Sequence, residues 1–525
     1  MSIKARLERE NLRSVYKKRF FYNSSASAKL KLLFFAGDTK ETKAQSNPIE
    51  MDGEEFRQRG RQMVDLIVDY VNSFRDRPVV PNVQPGYLRP LIPPEAPQEG
   101  ESFDKILADI EPVVLAGVTN WHHPNFHAYY PTASSYPAIL GDMLSDAIAC
   151  IGFSWIASPA CTELETVMMD WLAKALGLPD HFLFSSGGRG GGVIQGTASE
   201  ASLMVFLGAR NDAIAKLQAA EPQGEPCELL ARLVAYTSEE AHSSVERAAK
   251  LAFVRIRSLK TDEKHSLRGD ALKQAIAEDR AKGLVPILCI ATLGTTSSCA
   301  FDNVRELGQI CNREGLWCHV DAAYAGSALL CPELRNFADG IELADSFNFN
   351  PHKWMLVTFD CSALFLRDAS KIVEIFSADP IYLKHEFTGQ PDYRHWQIPL
   401  GRRFRSLKIW FVMRCFGISG LQAYIRKHVS LAKEFEALIL ADGRFEVVEE
   451  VTLGLVCFRL KGTNEATEAL YRTLREDQRI HLVASKFHSS GVYFLRFVVC
   501  SSQCESKDIR FAHSVIMEAA NKLAK

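Results

Sequence analysis

The chain has 525 residues, of which 47% are hydrophobic and 24% charged, as is typical of a globular protein with two or three structural units. Its formal net charge is −2, but residues 1–50 hold 11 Lys and Arg against 5 Asp and Glu, which leaves −8 for the rest. A mildly acidic body without a basic stripe argues against nucleic-acid binding. No apolar run reaches about 18 residues, which argues against a membrane span.

The first fifty residues are predicted to form a disordered basic tail. Residues 13–21 are rich in Lys and Arg, poor in acidic residues and followed by serines, as in a transit peptide. A tail that arises from an alternative start of the chain is the favoured interpretation.

The thirteen cysteines lie between Cys150 and Cys504 and form no Cys-x-x-Cys pair. This pattern predicts buried, reduced thiols and a cytoplasmic protein. His122, His123 and His127 lie close together but have no accompanying set of Cys or carboxylate ligands, so no metal site is predicted.

A helix is predicted to begin where Asp52 and Glu55 resemble a capping pair. The apolar residues that follow, from Phe56 to Phe74, recur at helical spacing. Residues 78–97 are rich in proline and predict an extended connector.

The middle of the chain alternates strand-like and helical runs. Residues 284–292 and 316–321 are predicted strands, and residues 303–313 between them are a predicted helix. This βαβ rhythm indicates an α/β fold with a mainly parallel sheet and ligand-binding residues at the strand ends.

Beyond about Phe411 the pattern changes. A helical run is followed by residues 445–458 and 492–500, which predict antiparallel strands, and then by a last helix. We therefore predict a large domain over residues 136–410 and a small α+β domain over residues 411–525.

Three features in one α/β pattern point to a site for pyridoxal 5′-phosphate (PLP). Lys353 lies in the run Asn-Pro-His-Lys-Trp, Asp321 ends a predicted strand 32 positions upstream, and residues 196–200 begin a helical run. A lysine amine can bond to the cofactor's aldehyde, and a carboxylate can keep its pyridine nitrogen protonated. N–H groups at a helix start can bind its phosphate. Glycines 190–192 are predicted to give that turn a flexible approach.

Each feature alone has a commoner explanation. A lysine after a strand is usually a solvated cation, an aspartate at a strand end is usually a cap or turn residue, and a glycine cluster is usually a plain loop. The occurrence of all three in this order favours the cofactor site, whose chemistry is carbanion formation on an amino acid.

Longer motifs in the same regions resemble group II PLP-dependent amino-acid decarboxylases. They are HAYYPT at 127–132, SPACTELE at 158–165, AHSSVE at 241–246, VDAAY at 320–324 and GRRFR at 401–405. The resemblance extends from about Met51 to the C-terminus. It implies fold type I, like aspartate aminotransferase, with a mainly parallel seven-stranded sheet. It also implies a homodimer in which residues 51–135, an N-terminal helical segment, pack across the twofold axis.

The resemblance assigns roles residue by residue. Lys353 and Asp321 are expected to hold the cofactor, His242 to stack on its ring and assist with the substrate carboxylate, and Tyr382 to return a proton from a mobile loop. Further cofactor contacts are expected from Ala198, Ser199, Thr296, Ala323, Asn350 and His352. Substrate contacts are expected from Trp121, Tyr129, Tyr130, Thr132, Ile151, Phe153 and Gly401, with the loops near Tyr382 and Gly401 reaching toward the neighbouring subunit.

Within this family the residues favour decarboxylation of aromatic L-amino acids, with DOPA and 5-hydroxytryptophan first. Histidine decarboxylases tend to carry serine at the position of Gly401, and those enzymes and the tyrosine-preferring ones tend to differ at His352. Aldehyde synthases of the family carry Asn at the position of His242 or Phe at that of Tyr382. The pair Tyr129-Tyr130 departs from the usual Tyr-Phe and leaves ring preference open. Aldehyde synthesis, tyrosine or histidine decarboxylation and a non-catalytic homologue are the alternatives.

Overall fold

A computed structural model describes residues 51–377 and 389–524. The chain divides into two units at Val68/Asp69. In the described part of the first unit, Asp52 Oδ1 accepts hydrogen bonds from the backbone N–H groups of Glu54 (2.9 Å) and Glu55 (2.8 Å), which confirms the predicted helix cap. The helix that follows, α1 (Gly53–Asn72), has no buried residue along its length.

The described chain is mainly helical around two sheets. The further helices are α2 (Phe103–Asp109), α3 (Tyr136–Ile148), α4 (Pro159–Leu176), α5 (Ala198–Ala220), α6 (Pro226–Ala231), α7 (Ser243–Ala252), α8 (Gly269–Ala281), α9 (Val304–Glu314), α10 (Pro351–Trp354), α11 (Ser370–Phe376), α12 (Ser406–Leu440), α13 (Asn464–Asp477) and α14 (Ser506–Leu523). Within the described ranges, no helix combines the length and apolarity needed to cross a membrane.

Across the residues that the structure describes, eleven strands form the two sheets. They are β1 (Gly191–Gln195), β2 (Leu233–Ser238), β3 (Arg255–Leu259), β4 (Val285–Thr292), β5 (Trp317–Asp321), β6 (Ser346–Phe349), β7 (Ser362–Leu366), β8 (Phe445–Val447), β9 (Leu455–Leu460), β10 (Val483–Lys486) and β11 (Tyr493–Val498). The large sheet has the order β1-β7-β6-β5-β4-β2-β3, and only β7 runs against its neighbours. The predicted mainly parallel seven-stranded sheet is therefore confirmed.

Helices cover both faces of the large sheet, so its strands are buried on both sides. Every residue of β1, β2, β5, β6 and β7 is buried. The predicted βαβ unit is confirmed to within a residue, because β4, α9 and β5 occupy the expected positions.

Glycines 190–192 do not form the flexible approach that the sequence suggested. They enter the buried strand β1, where a Cβ on Gly190 would lie 1.8 Å from the carbonyl oxygen of His181. A Cβ on Gly192 would lie 2.3 Å from Met169 Cε. The glycines are therefore required by close packing of the strand, and that interpretation of them was wrong.

The small sheet is antiparallel, with the order β10-β11-β9-β8. Residues 445–458 were predicted as one strand. They contain two antiparallel strands instead, β8 and the start of β9, joined by an irregular segment at 448–454. The predicted domain boundary at 410/411 falls inside α12, which is broken at Gly417 by a positive φ of 63°. The division into domains stays a prediction.

All thirteen cysteines are free thiols, and nine of them are buried. Cys227 and Cys415 are exposed, so the prediction of buried thiols is wrong at these two positions. The cytoplasmic location stays a prediction.

A buried ion pair anchors the loop that carries Gly401. The side chains of Arg402 and Glu165 are each 1% exposed, and the guanidinium of Arg402 bonds the Glu165 carboxylate. The same guanidinium donates to Gln397 Oε1 (2.5 Å), while Glu165 Oε1 accepts from the backbone N–H of Ile194 (2.8 Å). The pair therefore joins the loop, α4 and β1.

Removal of one partner of this pair should destabilise the protein strongly. We expect Glu165→Ala to lower the free energy of unfolding by about 3–5 kcal/mol, because it leaves the Arg402 charge buried and unpaired. Denaturant unfolding measures this change. The exposed pair Arg426–Glu333 is the control, and Glu333→Ala should have little effect. Similar losses in both variants would contradict the assignment.

Candidate active site

A cavity of about 320 Å³ lies where the carboxyl ends of the central parallel strands meet. Strand β4 ends at Thr292 and β5 at Asp321, and α10 follows β6 directly. The cavity brings together all nine predicted cofactor residues. Its lining comprises Tyr129, Tyr130, Thr197, Ala198, Ser199, His242, Ser244, Thr292, Gly294, Thr296, Asp321, Ala323, Tyr324, Asn350, His352, Lys353 and Arg496.

Lys353 lies in the single turn of α10, where its backbone N–H donates to the carbonyl of Asn350 (2.9 Å). Burial lowers the pKa of the Lys353 amine, the nearby carboxylate of Asp321 opposes this shift, and the positive charge of Arg496 adds to it. A lysine with a lowered pKa has a larger share of unprotonated amine, the form that reacts with an aldehyde.

Asp321 is the last residue of β5 and only 3% exposed. Its Oδ1 accepts hydrogen bonds from the backbone N–H of Ala323 (3.0 Å) and from Asn348 Nδ2 (3.4 Å). Two donors on the same oxygen, Oδ1, fix the carboxylate group in one orientation.

His242 caps the N-terminus of α7. Its Nδ1 accepts from the backbone N–H of Ser244 (3.2 Å) and lies 2.8 Å from the Ser244 hydroxyl oxygen. Because Nδ1 is an acceptor, the neutral ring carries its hydrogen on Nε2. Burial and the positive charge of Lys353 lower the pKa of His242, which favours this neutral form.

Part of the cavity wall suits an anion. Helix α5 begins at the cavity, and Thr197 caps it by accepting the backbone N–H of Glu200 at Oγ1 (3.3 Å). The first N–H groups of a helix have no partner within it, so those of Ala198 and Ser199 can bind phosphate oxygens. His352 completes this wall with Nδ1 accepting from the Cys361 N–H (2.9 Å). Burial lowers the pKa of His352 to about 3 and keeps the ring neutral.

Two buried polar atoms belong to cavity residues and have no hydrogen-bond partner among the described residues. Asn350 Oδ1 and Thr292 Oγ1 make no hydrogen bond to any described residue. Buried polar groups normally have a partner, so such atoms at a cavity are satisfied by a ligand. With Lys353, Asp321 and the start of α5, they fit PLP.

The predicted substrate residues divide between two places. Tyr129 and Tyr130 line the cavity, and Trp121 stacks on Tyr129 with ring centroids 5.4 Å apart. Thr132 does not line it, although the N–H of the next residue, Ala133, donates to the carbonyl of His352 (2.5 Å).

Ile151, Phe153 and Gly401 form a second cluster outside the cavity that the described residues enclose. A Cβ on Gly401 would lie 3.3 Å from Ile151 Cγ2, and the N–H of Gly152 donates to the carbonyl of Arg402 (3.2 Å). Ile151 is 58% exposed. Tyr382 lies outside the described residues.

Arg496 is a cavity residue that the sequence analysis missed. It lies on β11, is 3% exposed, donates from Nε to the carbonyl of Ser297 (2.9 Å), and lies 5.1 Å from the ring centroid of Tyr130. The signal was a single cation within the apolar run of residues 493–498. The other cavity residues without a prediction are Thr197, Ser244, Thr292, Gly294 and Tyr324.

The histidines near residue 125 have structural contacts. His123 Nδ1 accepts from the N–H of Asn125 (2.9 Å), and the ring of His127 stacks on Phe497 at 3.9 Å. Within residues 51–377 and 389–524, no group of three or more His, Cys, Asp or Glu side chains could hold a metal ion.

An aspartate at the end of one strand, a lysine in the turn after the adjacent strand and a helix start that lines the same cavity are the features of a fold type I PLP-dependent enzyme. Residues 85–461 match the family model described as "Pyridoxal-dependent decarboxylase conserved domain". The chain is also 57% identical to an aromatic-L-amino-acid decarboxylase of Manduca sexta, over 89% of this chain and 92% of that one. It therefore belongs to the pyridoxal-dependent decarboxylase family.

Solved structures agree with this assignment. A crystal structure of Oryza sativa TDC with PLP and tryptamine has a TM-score of 0.86 and 37% identity, over 90% of this chain and 99% of that chain. A crystal structure of Rhodiola rosea 4-hydroxyphenylacetaldehyde synthase has a TM-score of 0.84 and 37% identity, over 90% of this chain and 100% of that chain. The predicted fold, cofactor and enzyme class are confirmed.

The lowered pKa of Lys353 makes the stability of the cofactor-free protein depend on pH. Between that lowered pKa and the ordinary value of 10.5, the folded state binds fewer protons than the unfolded chain. The titration of Lys353 should therefore make the free energy of unfolding rise with pH across this window. Denaturant unfolding of the apoprotein between about pH 7 and pH 10 measures it.

Replacement of the amine should remove this contribution. We expect Lys353→Met to be the more stable protein at low pH and to lose its advantage as pH rises. Lys371→Met is the control at a lysine outside the cavity. A constant difference between wild type and Lys353→Met across the pH range would contradict a buried amine with a lowered pKa.

Proposed function

We propose that the protein decarboxylates aromatic L-amino acids with bound PLP, converting L-DOPA to dopamine and 5-hydroxytryptophan to serotonin. The observation that carries the proposal is the 57% identity, over nearly the whole of both chains, to a relative named for aromatic substrates. The tyrosines of the cavity support it, because Tyr129 and Tyr130 offer aromatic surface beside the lysine.

We assign the catalytic roles to Lys353, Asp321, His242 and Tyr382. Lys353 would hold the cofactor covalently, and the Asp321 carboxylate would keep its pyridine nitrogen protonated. When bound, PLP accepts the electron pair that the departing carboxylate leaves behind. Ala323 would pack on the cofactor ring and Thr296 would contact it. Ala198, Ser199, Asn350 and His352 would hold the phosphate.

Orientation selects the reaction. The bond that breaks is the one held perpendicular to the conjugated ring, so the group that fixes the α-carboxylate decides between CO2 loss and other outcomes. His242 suits this role because its Nδ1 is occupied by Ser244 and its Nε2–H remains as a donor. Exclusion of water from the site would leave the return of the proton to a residue of the protein, the role assigned to Tyr382.

Formation of an aldehyde is the second candidate, and the likeness to the Rhodiola enzyme is the observation that favours it. His242 counts against it, because the insect enzymes of that type carry asparagine there. Tyr382 also counts against it in sequence. Gly401 and His352 favour DOPA and 5-hydroxytryptophan over histidine and tyrosine as substrates.

Product analysis separates the candidates. We expect the purified protein, supplied with PLP and DOPA, to release CO2 and dopamine in equal amounts, without peroxide or ammonia. A parallel assay with 5-hydroxytryptophan, tyrosine and histidine should rank DOPA and 5-hydroxytryptophan first. Peroxide formed in equal yield with CO2 would identify an aldehyde synthase, and no CO2 from any acid would indicate a non-catalytic homologue.

We further propose a homodimer in which each subunit completes the site of the other. Helix α3 exposes apolar side chains at i, i+3, i+4 and i+8, the spacing of a packing face: Leu140, Met143, Leu144 and Ile148, with exposures of 43–51%. The cluster of Ile151, Phe153 and Gly401 lies outside the subunit's own cavity, as residues that serve a neighbour would. Residues 51–135 are expected to pack across the same twofold axis.

Mixed dimers test this arrangement. Lys353→Ala and Gly401→Trp should each be inactive alone, because the first lacks the amine and the second fills the substrate space. In a mixed dimer, the Lys353 of one subunit would meet the intact Gly401 of the other at one site. Random mixing should therefore restore about a quarter of the wild-type kcat. Absence of recovery in mixtures shown to exchange subunits would place Gly401 in its own subunit's site.

A further inference from the structure

Strand alternation places a row of side chains on one face of the sheet behind the cavity. Strands β5 and β6 are parallel, with His319 opposite Ser346 and Asp321 opposite Asn348. Because alternate residues share a face, Trp317 lies on the same side as His319 and Asp321. All five side chains are buried, with exposures between 0 and 6%.

Hydrogen bonds join these side chains in a series, here called the Asp321 relay, that ends on the carboxylate. Trp317 Nε1 donates to Ser346 Oγ (2.8 Å), which lies 2.7 Å from His319 Nδ1. His319 Nε2 lies 2.9 Å from Asn348 Oδ1. Asn348 Nδ2 in turn donates to Asp321 Oδ1 (3.4 Å).

The chemistry of the end groups fixes the direction of every bond. The indole is only a donor, and an Asn348 oxygen turned toward the Asp321 carboxylate would be repelled, so Asn348 Oδ1 faces His319. His319 Nε2 must then carry a hydrogen, and its Nδ1 accepts from the Ser346 hydroxyl. Burial lowers the pKa of His319 to about 4, so the ring stays neutral at ordinary pH. Every donor therefore points toward Asp321.

We propose that His319, Ser346 and Asn348 are positioning residues that stabilise Asp321 as an oriented anion and thereby strengthen its hold on the pyridine nitrogen of PLP. Aligned hydrogen bonds polarise one another in a medium of low dielectric constant, so the series stabilises the anion more than its last bond alone. This inference rests on the role proposed for Asp321. Cys318 and Val320 alternate to the other face of β5, so the apolar core there is separate from the relay.

Two substitutions of one residue form a matched test. A glutamine amide at position 319 can reach the place of the Nε2 atom and donate to Asn348, whereas an asparagine amide reaches only the place of Nδ1. We expect His319→Asn to raise the Kd for PLP about 5-fold, the effect of one lost hydrogen bond. His319→Gln should stay within about twofold of wild type, because it keeps the donor toward Asn348. Titration of apoprotein with PLP, followed by the absorbance of the bound cofactor, measures both.

A second pair separates the relay from general destabilisation. Trp317→Phe removes more buried volume than Ser346→Ala and should lower Tm more, yet Trp317 is one bond further from Asp321. The relay therefore predicts the larger rise in PLP Kd for Ser346→Ala. A purely structural role predicts the reverse order. This comparison decides the question by itself if His319→Asn does not fold.

Equal PLP affinities for His319→Asn and His319→Gln would overturn the proposal, as would Kd changes that follow Tm across all four variants. With DOPA, the relay also predicts that His319→Asn lowers kcat with little change in KM. A less stabilised Asp321 carboxylate would take the proton from the pyridine nitrogen more readily, which would weaken the electron sink. A wild-type protein that binds PLP but releases no CO2 would contradict the proposed function and leave the affinity comparison valid.

Discussion

The enclosure of the Lys353 amine is the constraint on which the rest of the site depends. An unpaired ammonium group in a protein interior is costly. Burial therefore lowers the pKa of the Lys353 amine, and one carboxylate, that of Asp321, lies nearby. Asp321 alone would favour the charged amine, whereas burial and Arg496 favour the neutral one. The balance leaves an amine that can react with an aldehyde and a carboxylate that stays available for the cofactor ring.

Hydrogen bonds from the backbone hold the histidines of the cavity in fixed orientations before any ligand binds. His242 and His352 illustrate one device: each accepts a backbone N–H on Nδ1, from Ser244 and Cys361 respectively. A neutral ring held in this way carries its hydrogen on Nε2. Burial lowers the pKa of both rings, so each presents a fixed donor rather than a charge. The backbone of α7 and of the turn before β7 therefore sets the proton positions of the site.

Sequence could predict the parts of this site that depend on local patterns, but not those that depend on contacts between distant segments. Lys353 and Asp321 could be predicted because each lies where a strand gives way to a turn. The carboxyl ends of parallel strands meet at one edge of the sheet, where ligands bind. Ser244 could have been found too, since it lies two residues after His242 in the same capping motif. Arg496 could not be placed, because β11 belongs to another sheet and no local pattern says which cavity it faces. Glycines 190–192 failed for the opposite reason: the local pattern indicated a loop, and long-range packing against His181 and Met169 made it a strand.

Arg496 also shows how the small sheet takes part in the chemistry of the large one. Its guanidinium donates to the carbonyl of Ser297, in the segment after β4, and lies over the ring of Tyr130. Ser297 in turn donates from its hydroxyl to the buried carboxylate of Glu240 (2.7 Å), two residues before His242. The cation is thus bound to neutral partners in the described chain, which leaves its charge effective at Lys353. Displacement of β11 would therefore change the charge balance of the lysine as well as the shape of the cavity, so the packing of the two sheets and the reactivity of the amine are set together.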